Sequence, residues 1–300
     1  VTSFKCGGFA MGYSANHMLS DGIGLRIFFE NVASLLAGKP LPFPPYNNRR
    51  DLAARTPPRV EFSHRELTKV SIPERDKTIY MKIFQIMDEN LDNKIFHLSS
   101  DNILKLKKEA KMSNVEGTDI ITSFNVVMAH LWRCRGLSEN DPEKKTSTIL
   151  YAVDLRSRLQ PPLPLSYAGN AIISAYATAS ISELKEKPLG YLVQLISQGT
   201  KRITNEYARS HIDWLELHTG FPHGDFYVSP WWKIGLADVD YPWGRPKYCT
   251  PVLHFRKLLV LLLPNSDGLN VLVSLPHDEM GKFQDLFRRL DSFHISQSRL

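Results

Sequence analysis

The chain opens with a mainly apolar stretch, Phe4 to Ser14, that carries three glycines, Gly7, Gly8 and Gly12. That mixture predicts a buried strand closely approached by other backbone. Behind it, Asp21 is placed as a helix N-cap, with Ile23, Ile27, Phe28 and Leu35 at helical spacing and Gly38 with Pro40 ending the pattern. From Pro40 to about Asn93 the prolines Pro42, Pro44, Pro45, Pro57 and Pro58 break any regular element, which predicts a long crossover or linker.

Regular pattern resumes at Ile95-Phe96-His97-Leu98. It continues with a helix over Asp101 to Lys111 and another opened by Thr118, with Ile120, Phe124, Val127 and Leu131 on one face and Gly136 at its end. Thr148 to Leu155 and Asn170 to Ser180 predict strands around the turn Pro161-Pro162-Leu163-Pro164. One long helix is expected from Ser182 to about His211. Three further strands are expected over Phe226 to Leu236, Val252 to Leu263 and Leu269 to Leu275, the last two joined by a Pro264-to-Gly268 hairpin turn. An amphipathic helix near Asp278 to Leu290 ends the pattern. Strands and helices mixed without a strict βαβ rhythm predict an α/β layer fold with mixed sheets.

Composition narrows the field of functions. The 300 residues include 37 basic and 31 acidic side chains, a net charge of +6, with 43% hydrophobic residues. The excess is dispersed over pairs such as Arg49/Arg50 and Arg288/Arg289, so no nucleic-acid partner is indicated. Cys6, Cys134 and Cys249 are too few and too scattered for a disulfide framework or a metal cluster. The longest aliphatic run, Leu258 to Leu263, is far too short to cross a bilayer, and a cytoplasmic location is expected. The terminal Ser298-Arg299-Leu300 resembles the peroxisomal Ser-Lys-Leu address with Arg for Lys.

The conspicuous chemistry lies in Asn16-His17-Met18-Leu19-Ser20-Asp21-Gly22, at the handover from strand to helix where open α/β sheets place catalytic groups. His17 can take a proton from a hydroxyl or amine near neutral pH. Asp21 can orient the ring, cap the helix or pair with an arginine. A packed histidine beside a simple helix cap fits the same pattern, and one His with one Asp is too small a set for a metal. The chain lacks a complete serine-nucleophile elbow, a phosphate-binding Gly-rich loop and an HExxH pair.

Taken with three later segments, the chain resembles the BAHD-type acyl-CoA-dependent acyltransferases of plants. The matching residues are His17-Met18-Leu19-Ser20-Asp21, Ala129-His130-Leu131-Trp132-Arg133, Val153 to Arg158 running on to Tyr167-Ala168-Gly169-Asn170, and Asp240-Tyr241-Pro242-Trp243-Gly244. The resemblance implies a two-domain chloramphenicol-acetyltransferase-like fold. Residues 1–46 would be the end of the first domain, 47–94 the crossover and 95–300 the second domain, a truncated piece that is inactive alone. It implies acyl transfer from an acyl-CoA co-substrate, without a permanently bound cofactor, to a small-molecule alcohol or amine by a monomeric enzyme. His17 would be the general base, and Asp21 would pair with Arg156 or, alternatively, Arg158. Ser229 and Trp231 would stabilise the oxyanion. Asp240, Trp243 and Gly244 would serve architecture or CoA docking, with Tyr241 and Pro242 replacing the family's Phe and Gly. Ile212 to Trp232 contains no Lys or Arg but does contain Trp214, Leu215, Leu217, Phe221, Phe226 and Tyr227, which disfavours an anionic acceptor and suits a large apolar alcohol. Two other readings stay open. One is a nonribosomal-peptide condensation domain, which would want a second His where Asn16 stands; the other is a non-catalytic binding or scaffold protein on the same fold.

Overall fold

The computed structural model describes residues 1–70, 91–113, 121–252 and 259–289. At its start β1 (Thr2–Ser3) and β2 (Phe9–Ala10) pair only with each other, and α1 (Gly22–Leu36) follows, capped by the Asp21 side chain on the Gly24 N–H. Among its described residues the crossover carries a 3-10 turn at Arg49–Leu52 and the short β3 (Leu67–Lys69). The main body then begins with β4 (Leu91–Leu98), α2 (Ser100–Met112), α3 (Ser123–Ser138), β5 (Thr146–Asp154) and β6 (Ile172–Ser180). Three helices come next, α4 (Ile181–Glu186), α5 (Leu189–Arg202) and α6 (Asn205–Leu217). The chain closes with β7 (Gly220–Pro222), β8 (Phe226–Ser229), β9 (Leu259–Pro264), β10 (Leu269–Pro276) and α7 (His277–Arg288).

Six strands form one mixed sheet in the order β4-β10-β9-β8-β5-β6. The inner neighbours β9, β8 and β5 run parallel, and the flanking pairs are antiparallel. Strand alternation sorts side chains to the two faces. Val260, Leu262, Val271 and Val273 join the main core with helical residues such as Val127, Leu131, Ile196 and Phe283. Leu261, Leu263 and Leu272 point the other way and pack on Trp231. Because β5 and β8 are parallel, their C-terminal ends, Asp154 and Ser229, emerge at the same edge of the sheet. That edge receives the His17 turn.

Several elements depart from the sequence reading. The expected buried strand over 4–14 is an exposed two-residue ribbon turned at Gly7, because among the described residues it pairs only with itself. Phe28 and Leu35, expected on the buried face of α1, are exposed. Thr118 and Ile120 lie outside the described residues, and α3 is opened by Thr122. Gly136 sits inside that helix instead of closing it, where a Cβ would lie 2.4 Å from Leu184. The expected long helix from Ser182 is three, divided at Pro188, which cannot continue a helix, and at Thr204, which caps the next. The expected strand from Phe226 stops at Ser229, since Pro230 turns the chain into a 3-10 turn at Trp231–Lys233. Residues 253–258 of the expected Val252-to-Leu263 strand, Leu290 and the C-terminal tripeptide lie outside the described residues.

Candidate active site

Asp21 is 2% exposed, and four donors surround its carboxylate. Oδ1 accepts from Gly24 N and Arg156 Nη2, each at 2.9 Å; Oδ2 accepts from Ala171 N at 2.9 Å and Arg156 Nη1 at 3.0 Å. Both oxygens are thereby spent on structure. Arg156 in turn donates to the carbonyls of Tyr167 and Gly169 and to Asp154 Oδ1. Burial works against its charge, yet the hydrogen bonds and charges of Asp21 and Asp154 outweigh it and raise its pKa above the ordinary arginine value. Arg158, the alternative partner, donates instead to the Thr200 and Ile203 carbonyls. The first turn of α1 is pressed so tightly on this bed that a Cβ at Gly24 would lie 2.3 Å from the Ala168 carbonyl oxygen.

Four residues before this lock, His17 is exposed, and its imidazole makes no hydrogen bond with the described residues. Its backbone is held, because Asn170 Nδ2 donates to the His17 carbonyl at 2.8 Å while Asn16 Oδ1 accepts from Met18 N. The chain from Ser229 through Ile234 approaches the same end of α1. A Cβ at Gly22 would meet Ile234 Cδ1 at 2.4 Å, and Arg26 donates to the Ile234 carbonyl. The Ser229 hydroxyl and Trp231 indole N–H, both half-buried, find no hydrogen-bond partner among the described residues. Trp231 has its ring against Leu261 and Leu263.

The Asp240–Gly244 segment packs on the motif-bearing arm. Tyr241 is buried with Val239 against Ala33 and Phe29 of α1, Trp243 stacks on Tyr241 at 5.3 Å, and Phe9 meets Trp243 edge-on. Tyr241, Pro242, Trp243 and Gly244 form a turn closed by Gly244 N to Tyr241 O at 2.8 Å, with Gly244 at φ 100°. Proline at the second turn position is favoured there, so Pro242 is accommodated. The apolar residues expected around an acceptor do not gather in one cavity. Phe226 lies in the core, Trp214 packs beside Gly220 and His218, Leu217 is exposed, and Leu215 lines an open groove of ≈ 650 Å³ with Ala53, Arg55 and Glu216. A helix face and a strand carry them to different sides of the body.

A second buried cluster escaped the sequence reading. His64 Nδ1 and His211 Nδ1 each lie 3.0 Å from Glu66 Oε1, and the Tyr207 hydroxyl donates to Glu66 Oε2 at 2.6 Å. His64 Nε2 pairs with Ser210 Oγ at 2.9 Å, and that oxygen also accepts from Glu61 N and Phe62 N. Burial opposes the Glu66 charge, but hydrogen bonds from His211, His64 and Tyr207 bring its pKa to about 2. One ligand atom from each of His64, Glu66 and His211 lies within 4.8 Å of the others, and hydrogen bonds engage His64 Nδ1, His211 Nδ1 and both Glu66 oxygens. The cluster pins the crossover to α6. Asp213 of the same helix adds to the pin by accepting from Arg55 Nε and from the Arg55 and Arg59 amides. Only the His-x-Glu spacing at 64–66 could have signalled it, and its partners lie about 145 residues away.

The body is an α/β domain on a mixed sheet, with a His-x-x-x-Asp turn locked at its edge by a bidentate arginine. The chain belongs to the Transferase family, the BAHD acyltransferases, whose model matches residues 1–290. It is 51% identical over 297 residues to Acyltransferase GLAUCE of Arabidopsis thaliana, covering 96% of this chain and 65% of that protein. It is 33% identical to the Omega-hydroxypalmitate O-feruloyl transferase of the same plant, covering 97% of this chain and 64% of the relative. The chain thus spans about two thirds of the length of these relatives. The structure also aligns with F. graminearum TRI101 complexed with Ethyl Coenzyme A, at a TM-score of 0.66 and 15% identity, over 89% of this chain and 62% of that one. No helix among the described residues is long and apolar enough to cross a membrane.

Proposed function

We propose that the protein transfers an acyl group from an acyl-CoA thioester to an alcohol or amine, with His17 as general base. One observation carries this reading: Asp21 is consumed by four donors, while His17 on the same turn is exposed and its imidazole makes no hydrogen bond with the described residues. His17 takes the acceptor's proton, the freed oxygen or nitrogen attacks the thioester carbonyl, and the imidazolium returns the proton to the departing CoA sulfur. No acyl-enzyme is needed, and such proton transfer contributes about 10²–10⁴-fold. Ser229 and Trp231, at the same sheet edge with unpartnered donors, serve the tetrahedral oxyanion, where one such donor is worth about 3 kcal/mol. Asp240, Trp243 and Gly244 hold the arm that bears the motif.

The run Phe226 to Trp232, which ends at the sheet edge that receives the His17 turn, contains no Lys or Arg, and this favours an acceptor with no anion near its reacting hydroxyl. The relative named for ω-hydroxypalmitate, whose alcohol ends a long alkyl chain, is of that kind. The same reading takes the enzyme as a cytoplasmic monomer, which light scattering and an N-terminal fluorescent fusion would check. The decisive assay follows free-thiol release with the product of the complete transcript, offering hydroxycinnamoyl- and fatty acyl-CoAs to long-chain alcohols, amines and shikimate. Transfer lost in His17→Ala supports the assignment. No transfer from any donor, with CoA-thioester binding unchanged by the mutation, overturns it in favour of a binding protein.

A further inference from the structure

The lock around Asp21 fixes one end of the motif, but the catalytic base of the proposed reaction lies at the other. Between them the turn is held from outside by two side-chain donors. Asn170 reaches the His17 carbonyl, and Arg49 Nη2 donates to the Leu19 carbonyl at 2.6 Å. Arg49 belongs to the crossover, not to the body, and the backbone that carries it is held by hydrogen bonds on its N-terminal side. Asn48 Oδ1 accepts from Arg50 N to open the 3-10 turn. Just before it Tyr46 is laced to the body by Tyr46 N to Ser166 O at 3.0 Å and Ala168 N to Tyr46 O at 3.1 Å. The Nη1 end of the guanidinium then comes up against Gly169, where a Cβ would stand 1.7 Å from Arg49 Nη1 and 2.8 Å from Cζ. A methyl at 169 would therefore displace the guanidinium from this position.

We propose that Arg49 is a positioning residue for His17: seated on the bare α-carbon of Gly169, it clamps the Leu19 carbonyl and so sets the imidazole from the crossover. The inference rests on the acyl-transfer reading for its catalytic consequence. Its geometric part concerns only where the His17 turn sits. A misplacement of about 1 Å can cost on the order of 10²-fold in rate, so one backbone clamp is enough to matter.

Four variants test it in the protein from the complete transcript: Arg49→Ala, Arg49→Lys, Gly169→Ala and the double Arg49→Ala/Gly169→Ala. Arg49→Ala should lower kcat about 10- to 100-fold with KM for acyl-CoA changed less than about threefold. Arg49→Lys, or added guanidinium ion with Arg49→Ala, should restore part of the rate. Gly169→Ala should reproduce the loss by wedging the guanidinium away, and the double variant should be no worse than either single. In parallel, the His17 Cε1–H signal of histidine-labelled protein, assigned by its disappearance in His17→Ala, should shift in Arg49→Ala and Gly169→Ala. An unchanged kcat with an unmoved His17 signal overturns the proposal, as does a rate loss that simply follows a drop in Tm and is not rescued by guanidinium. If wild-type protein transfers no acyl group, the acyl-transfer reading fails, and the NMR arm still decides whether Arg49 sets His17.

Discussion

Two buried charged clusters fasten neighbouring parts of the same N-terminal arm to the same body, and they handle charge differently. At Asp21 the carboxylate meets a guanidinium in a bidentate pair, and Arg156 stays protonated at any working pH. At Glu66 the carboxylate meets two imidazoles and a phenol, and burial together with the Glu66 charge pushes the Tyr207 hydroxyl far above its ordinary pKa, so it stays a donor. The first anchor suits a turn that must hold still under the proton transfer proposed for His17. The second suits a strap, since nothing on the crossover near His64 is asked to do chemistry. What separates them is the kind of partner each carboxylate takes, a guanidinium fork at Asp21 and two imidazoles with a phenol at Glu66.

The comparison breaks most severely at Asp21→Ala, which removes the buried bidentate partner of Arg156, leaves it only the partly exposed Asp154 carboxylate among the described residues, and should cost about 3 kcal/mol in urea unfolding. Replacing both partners, as Asp21→Ala with Arg156→Met, should recover part of that loss. A cost below 1 kcal/mol for the single variant would show that the pair does not lock the turn. Gly24→Ala attacks the same lock through shape, pushing a methyl to 2.3 Å from the Ala168 carbonyl oxygen. Overpacking of this kind costs about 1–3 kcal/mol, and a melting temperature equal to wild type would contradict the tight seating of α1.

Glu66→Gln tests the strap, with an expected cost of about 1–3 kcal/mol at pH 7 from weakened hydrogen bonds to a charged acceptor. Its pH dependence has a definite sign. The folded pKa near 2 lies below the unfolded carboxylate value, so the contribution of Glu66 is complete above about pH 4.5 and lost as the pH falls towards 2. The stability gap between wild type and Glu66→Gln should close across that window. A gap that stays constant down to pH 3 would remove Glu66 from the strap.

The two clusters also differ in how visible they were. His17, Asp21 and Arg156 sit in short patterned runs, and the Asp-x-Arg-x-Arg stretch offered only two candidate partners. Geometry then separated Arg156 from Arg158 by where β5 ends, which no spacing encodes. The Glu66 strap joins a proline-rich segment to α6, and its other members, Tyr207, Ser210 and His211, lay within or beside what looked like one continuous helix. Its cap at Thr204 sets the rotation that presents all three inward, and that break was missed because the apolar spacing runs straight through it. The same cause misplaced Trp231, whose strand-like neighbours hid the turn imposed by Pro230. The mixed sheet was legible because strand alternation and the hairpin turn at 264–268 are local signals. The exposed ribbon at the start was not, since apolar composition speaks of burial without saying what does the burying.

The smallest expected stability change carries the sharpest functional contrast. His17 is exposed and its side chain engages no described residue, so His17→Ala should leave unfolding within about 0.5 kcal/mol of wild type. The same substitution should remove about 10²–10⁴-fold of acyl transfer if the imidazole is the general base. Asp21→Ala should do the reverse in proportion, with a large loss of stability and a loss of rate that follows the disordered turn. Measuring Tm and kcat for both variants in one series would separate the two ends of a five-residue motif. If His17→Ala destabilised the fold as much as Asp21→Ala, the histidine would be a packing residue and the division of labour along the turn would be wrong.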